Sequence, residues 1–370
     1  MLVRAARLRS TAGTTLVVAA LTCTMGLATQ LPAAAATGCA HPGIEVLDTL
    51  GGSGGRVMAL GRGTIAAGSS AGVPAYWIGS TVIKVPLAAR YSGYGTVNAI
   101  NRHDLMVGTV YDDTTRANVA FSYRIGAARA RILPGGSYAD DVNDSGRIVG
   151  GGPFPADHLY VWHGTEVERE LTVGPGFSFP RVSGINNAGT VIGAASDYQP
   201  GFPSSAGVGL VWPSGTTGPA VPLLPIDSSD DSGISYNPED IDENGRIVGE
   251  KTSFWADGSY ETYWDAPYTA DATEVPGLPG YYNEGYFRAI SPTTGLVAGE
   301  APTSYYGDLP AGTAEIWTGS GPIRALPAPD ADADSGASAV ADNGDVGGYA
   351  VLASGEGVPV IWTCAAQQAL

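Results

Sequence analysis

One short phrase recurs seven times along these 370 residues. It reads LGRGTIAAG (Leu60 to Gly68), INRHDLMVG (Ile100 to Gly108), VNDSGRIVG (Val142 to Gly150) and INNAGTVIG (Ile185 to Gly193). It returns as IDENGRIVG (Ile241 to Gly249), ISPTTGLVAG (Ile290 to Gly299) and VADNGDVGG (Val340 to Gly348). The closing glycines lie 40 to 56 residues apart. That spacing is too short for a domain and suits one four-stranded sheet per repeat, so each unit must bury its faces against its neighbours. The pattern inside each period alternates every second residue, with glycine-rich breaks and no long helical run. The chain therefore reads as all-β: a seven-bladed β-propeller with four antiparallel strands per blade.

The third repeat shows the blade most clearly. Strands are expected at Tyr138 to Val142, Arg147 to Gly151, His158 to Trp162 and Glu166 to Val173. Asn143-Asp144-Ser145-Gly146 between the first two suits a type I turn, with Asn at the first position and Gly at the fourth. Asn186 to Gly189 repeats that solution, and Asp242 to Gly245 is its carboxylate variant. An aromatic ends the third strand of every repeat: Trp77, Tyr123, Trp162, Trp212, Trp264, Trp317 and Trp362. A fixed strand position marks these rings as packing between neighbouring blades. The repeated glycine ending the second strand implies close backbone approach there.

Fourth strands are expected at Thr81 to Leu87, Arg129 to Leu133, Glu166 to Val173, Ala220 to Leu224, Ala272 to Leu278 and Pro322 to Leu326. The seventh repeat ends just after Trp362 and has none. Gly43 to Leu50 has the same character and precedes the first blade. Closure is therefore expected by this N-terminal strand pairing with the C-terminal blade, which removes an exposed edge. Cys39 and Cys364 flank the two strands so joined, where a hairpin connects them in every other blade. A disulfide between them would stand in for that turn, and export makes it chemically reasonable.

Export is expected because Arg4, Arg7 and Arg9 precede an apolar run from Leu16 to Leu27 and an alanine-rich site ending at Ala36. Residues 1–36 read as a secretory signal peptide and 37–370 as a single seven-bladed domain, secreted and extracellular. The formal net charge of the whole chain is −17, and cleavage would remove three arginines and no acid. A chain this acidic is not expected to bind nucleic acid, whose partners need a basic face, nor an anionic membrane surface. A monomer is expected.

The repeats resemble the HAF repeat of bacterial extracellular proteins, in which Ala-Ile-Asn-x-x-Gly-x-Val-Val-Gly is followed by His-Ala-Phe-x-Trp. Ala99 to Gly108 and Gly184 to Gly193 carry the first part. HLYVW from His158 to Trp162 carries the second, and VAFSY from Val119 to Tyr123 follows it less closely. LDTLGG from Leu47 to Gly52 is similar to the segment that precedes the first unit. The resemblance implies a secreted β-propeller and assigns no reaction.

Catalytic motifs are weak. Two matches to G-x-S-x-G, at Gly51 to Gly55 and Gly68 to Gly72, precede no helical pattern, as a nucleophile elbow requires. No enzyme activity and no cofactor is expected. Ca²⁺ is the one metal the sequence suggests. Asp330, Asp332 and Asp334 alternate carboxylates, and Asp240, Asp242 and Asn244 open an EF-type loop that lacks its twelfth-position acid. Non-repeat aromatics concentrate on the long second-to-third and fourth-to-first connections, which share one face. That face is where a scaffold places variable chemistry. Trp255, Phe254 and Tyr260, with Tyr281, Tyr282, Tyr305 and Tyr306, are the expected ligand-binding residues. The expected function is a non-catalytic binding module for an extracellular glycan or protein. The alternatives are a carbohydrate-active hydrolase or lyase using loop carboxylates, and a structural cell-surface protein.

Overall fold

In the computed structural model, residues 41–369 are described except 53, 92–93, 154–157, 198–205, 225–232, 254–257, 280–284, 303–311 and 331–332. They form seven antiparallel four-stranded sheets. Six sheets are consecutive in sequence, with first strands at Gly55–Leu60, Gly95–Ile100, Tyr138–Val142, Phe177–Ile185, Ile234–Ile241 and Tyr286–Ile290. These are blades one to six. The seventh blade runs Ser335–Val340, Val346–Val351 and Gly357–Thr363, and its fourth strand is Gly43–Val46 from the start of the described chain. Gly43 pairs with Thr363 and Val46 with Val360, so the ring closes as expected.

The repeat glycine has a steric cause. In all seven blades the first strand carries one extra residue where it pairs with the second, at Met58, Asn98, Asp140, Ser183, Glu239, Arg288 and Ser338. This is a β-bulge, and it bends the strand so that a carbonyl crowds its neighbour. A Cβ on Gly150 would sit 2.1 Å from the Tyr138 carbonyl oxygen, and on Gly193 2.0 Å from that of Arg181. No side chain fits at that distance.

The repeat asparagine has two jobs. Asn143 Oδ1 accepts the Arg147 N–H at 3.0 Å and so closes its own turn, where Gly146 takes φ of 81°. Its Nδ2 donates to the Asn186 carbonyl of the next blade at 3.1 Å. Asn101 reaches Asn143 in the same way at 2.8 Å, and Asn186 reaches Asp242 at 3.2 Å. One residue thus builds the turn and stitches the ring.

The repeat tryptophans bolt outer strands to the following blade. Trp162 is fully buried and donates its indole N–H to the Pro134 carbonyl at 3.1 Å. Trp212 reaches Thr172, Trp264 reaches Leu224 and Trp362 reaches Pro327, each just past the preceding blade's outer anchor. Trp77 donates to Asp48 at 2.8 Å, which places the N-terminal strand in the same role. Trp317 departs from this, bonding Gly321 in its own hairpin.

The outer strands are shorter than the sequence suggests. Those of blades two, four, five and six are two residues each. Pro134, Pro222, Pro276 and Pro327 fall in or near them, and proline cannot donate to a ladder. One buried anchor continues each pairing by a single bond: Leu133 N–H to Ala120 and Leu326 N–H to Ala314, for example. Leu47 makes that bond to Pro359 in the closing blade. Short edges of this kind resist pairing with other chains.

Candidate functional site

The seven bulged residues line a central channel of about 510 Å³. Three of them stitch blades together: Asn98 donates to the Ala139 carbonyl at 2.9 Å, Ser183 to Pro238 at 2.7 Å and Ser338 to Val57 at 2.6 Å. Asp140, Glu239 and Arg288 break this uncharged pattern. Beside them, Asp141 and Asp240 each bridge two backbone N–H groups, one from their own blade and one from the next. Asp141 takes Val142 at 2.6 Å and Ile185 at 2.7 Å. Asp240 takes Ile241 and Ile290, both at 2.8 Å.

Burial in the channel wall pushes these carboxyls upward. Asp140 is raised to about 7, with Asp141 and Glu239 adding repulsion and Arg181 opposing it. Asp240 is raised to about 8 by desolvation and by Asp141, against the pull of its two N–H bonds. Asp141 is raised to about 6, again by burial first.

At the end of the channel toward the long connections, charged and aromatic side chains meet. Arg56 bonds Glu300 at 3.1 Å, and its guanidinium lies 4.7 Å from the ring centre of Tyr349. The Tyr349 hydroxyl donates to the other Glu300 oxygen at 3.0 Å. Glycine at position 336 makes this contact possible, since a Cβ there would lie 2.3 Å from Glu300 Oε2. Arg288 stacks 3.9 Å from the Tyr286 ring centre and approaches Glu239 at 3.8 Å. Arg181 reaches both Asn237 and Glu239. On the rim, Tyr94 is 82% exposed and Phe179 is 51% exposed with φ of 52°, a conformation a bulky residue seldom adopts. These residues sit two positions before the bulge, at the bulge, or on the following strand and rim. Their signal in the sequence was departure from the repeat at register positions that are uncharged in other blades.

Of the expected ligand residues, Tyr260 lies in the third strand of blade five, half-buried, with the Lys251 ammonium 5.4 Å from its ring centre. Trp255, Phe254, Tyr281, Tyr282, Tyr305 and Tyr306 lie outside the described residues, as do Asp332 and Cys39. Asp242 Oδ1 accepts the N–H groups of Asn244 and Arg246, so it and Asp240 serve the backbone of the turn and ring. Asp330 accepts the Ala353 N–H at 2.6 Å. Among the described residues no group of three or more His, Cys, Asp or Glu is arranged to hold a metal ion. Cys364 is buried at the end of the strand that pairs with Gly43–Val46.

No family profile matches the sequence, and no curated protein matches it. Solved structures do. The β-propeller domain of the Trilobed protease from Pyrococcus furiosus is similar at 9% identity and TM-score 0.55, over 82% of this chain and 93% of that one. That domain is described as having an open velcro topology, whereas this ring closes through its N-terminal strand. Pyrococcus horikoshii acylaminoacyl peptidase aligns at 9% identity and TM-score 0.45, over 67% of this chain and 41% of that one. A β-1,2-mannobiose phosphorylase from Listeria innocua aligns at 13% identity and TM-score 0.31, over 88% and 92%. This chain is a seven-bladed β-propeller.

Proposed function

We propose that this protein is a secreted, non-catalytic binding module that holds an extracellular ligand on the face carrying its long connections, a saccharide polymer in particular. The observation that carries this reading is the cluster at the channel mouth: Arg56 with Glu300 and Tyr349, and Arg288 on Tyr286. Fixed tyrosine faces and charge-assisted donors and acceptors are the chemistry that recognises sugar C–H faces and hydroxyls in a wet site. The exposed rings of Tyr94 and Phe179 extend that surface along the rim. The resemblance to HAF repeats and the basic, apolar N-terminal segment support an extracellular setting.

Hydrolysis is the weaker reading. Glycoside hydrolysis needs two carboxyls about 5–9.5 Å apart with substrate between them. Glu261 and Glu315, two glutamates that interact with each other, are shut away from solvent. Binding to an array of glycans and cell-wall polymers tests the proposal, followed by Trp255→Ala and Tyr94→Ala on any hit. Each should weaken binding about tenfold while costing less than about 1 kcal/mol of stability, as substitutions outside a packed core do. Loss of stability with binding intact would assign these rings a structural role and overturn the reading.

A further inference from the structure

Two positions in the third strand are uncharged in nearly every blade. Three residues before the repeat aromatic stand Pro74, Ala120, Leu159, Gly209, Ala314 and Pro359, and two residues before it stand Ala75, Phe121, Tyr160, Leu210, Thr262 and Val360. The exceptions are Glu261 in blade five and Glu315 in blade six. They fall on opposite sides of a single interface. Glu261 shares its face of the strand with Tyr263, which packs on Trp317 of blade six. Glu315 shares its face with Trp317 and turns back toward blade five. The two carboxyls interact with each other across that interface.

This meeting place is shut away from bulk solvent. Glu261 is 1% exposed and Glu315 is 0% exposed. Glu261 Oε1 and both carboxyl oxygens of Glu315 have no conventional donor. The sequence leaves room for them: a Cβ on Gly285 would lie 1.9 Å from Glu261 Oε1, and one on Gly299 3.0 Å from Glu315 Oε1. Among the described residues neither carboxyl has an arginine or lysine partner. From the second strand of blade five, Glu250 stands opposite Glu261 in register. Lys251, beside it, is turned to Glu274 at 2.7 Å. From blade six, Glu300 adds negative charge near Glu315, while Tyr286 and Arg288 face each other and Glu239. Arg56 and Tyr349 are taken up by Glu300.

Two carboxylates cannot occupy such a place without a positive charge between them. We propose that Glu261 and Glu315 share one proton and form a pH-sensitive latch that holds blades five and six together and loosens when that proton leaves. Burial raises Glu261 to about 7 and raises Glu315 well above the usual carboxylate range. The folded state therefore holds a proton that the unfolded chain has already released, so stability falls as pH rises from the unfolded carboxylate range through neutrality. The pair feels the charge of Glu300 in the channel-mouth cluster, and the latch does not require a ligand to be bound there.

The test is the urea midpoint of the mature chain as a function of pH, for wild type, Glu315→Gln and Glu261→Gln. A glutamine removes one titratable carboxyl and offers an amide N–H in place of the shared proton, so the variant pair no longer depends on holding that proton. Between about pH 6 and 9 the wild-type midpoint should fall, and in each variant the fall should be smaller by roughly a third or more. Should neither variant fold, carbon-labelled glutamate in the wild-type protein gives the answer directly by NMR titration. One pair of glutamates should remain protonated near neutral pH. Parallel profiles in wild type and both variants would overturn the latch, as would all glutamates titrating in the ordinary range. A midpoint restored at alkaline pH by added Ca²⁺ in wild type alone would also overturn it, assigning the pair to a cation instead of a proton.

Discussion

At single positions the repeat is explained by contacts that tolerate no substitute. Gly150 faces a carbonyl that a methyl group would strike, so Gly150→Ala should cost about 3 kcal/mol in urea unfolding, at the upper end for overpacked sites. A loss below half that would mean the bulge relaxes freely. Asn143 separates two effects. Asn143→Ala removes both the turn bond and the bond to Asn186, and should cost about 2–3 kcal/mol because it strands buried partners. Asn143→Asp keeps the acceptor, as Asp242 does naturally, and should lose only about 1 kcal/mol. Equal losses would show that the turn bond contributes nothing beyond the stitch between blades, and no loss in Asn143→Asp would show that the stitch contributes nothing. These roles were legible in part. A repeated Gly and Asn-x-x-Gly announce a tight approach and a turn, but the interblade half of the asparagine's work needs the ring, because its partner lies 43 residues away.

Whole strands tell a similar story with a different limit. Alternation and the aromatic position located the inner three strands of blade three almost residue by residue, because buried strands must alternate. Outer strands were overestimated, since an exposed edge is held by one anchor and a proline instead of a ladder. The candidate site was less legible still. Arg56, Glu300 and Tyr349 come from blades one, six and seven, and nothing in their local sequence says that the ring brings them together. The closing strand carries its own prediction. Gly43–Val46 covers the edge of Gly357–Thr363, and Leu47 and Asp48 complete the anchor and the Trp77 bond. A chain beginning after Leu50 should therefore show a lower thermal midpoint and concentration-dependent aggregation, as an uncovered edge invites strand pairing. The proposed Cys39–Cys364 bond acts at the same place. Reductant should lower the midpoint of the intact chain by an amount corresponding to about 2–4 kcal/mol, and leave a Cys364→Ser variant unmoved. Two titratable thiols in the folded, unreduced protein would exclude that bond.

Across the molecule, acidity and burial combine to set a pH optimum on the acid side of neutral. The formal net charge of −17 counts every acid as ionised, so the chain reaches it only as the buried acids lose their protons. Asp141, Asp140 and Asp240 line one sector of the channel, where desolvation raises them to about 6, 7 and 8. All three are raised, so the sign matches that of the Glu261–Glu315 pair: the native state binds protons that the unfolded state lacks. Stability is then fully present below the unfolded carboxylate range and falls as pH rises through 8. All three are only half-buried, and this exposure moderates each contribution, to on the order of 1–2 kcal/mol apiece. The midpoint at about pH 5.5 should thus exceed that at pH 8.5. Salt tests the remaining share. Screening weakens repulsion among exposed charges more than among buried ones, so added sodium chloride should raise the midpoint at alkaline pH without flattening the profile. A profile that salt abolishes would assign the whole effect to surface charge and leave the channel aspartates ionised and ordinary. A profile that persists in Glu315→Gln at high salt, reduced but not lost, would place the remainder on Asp140, Asp141 and Asp240.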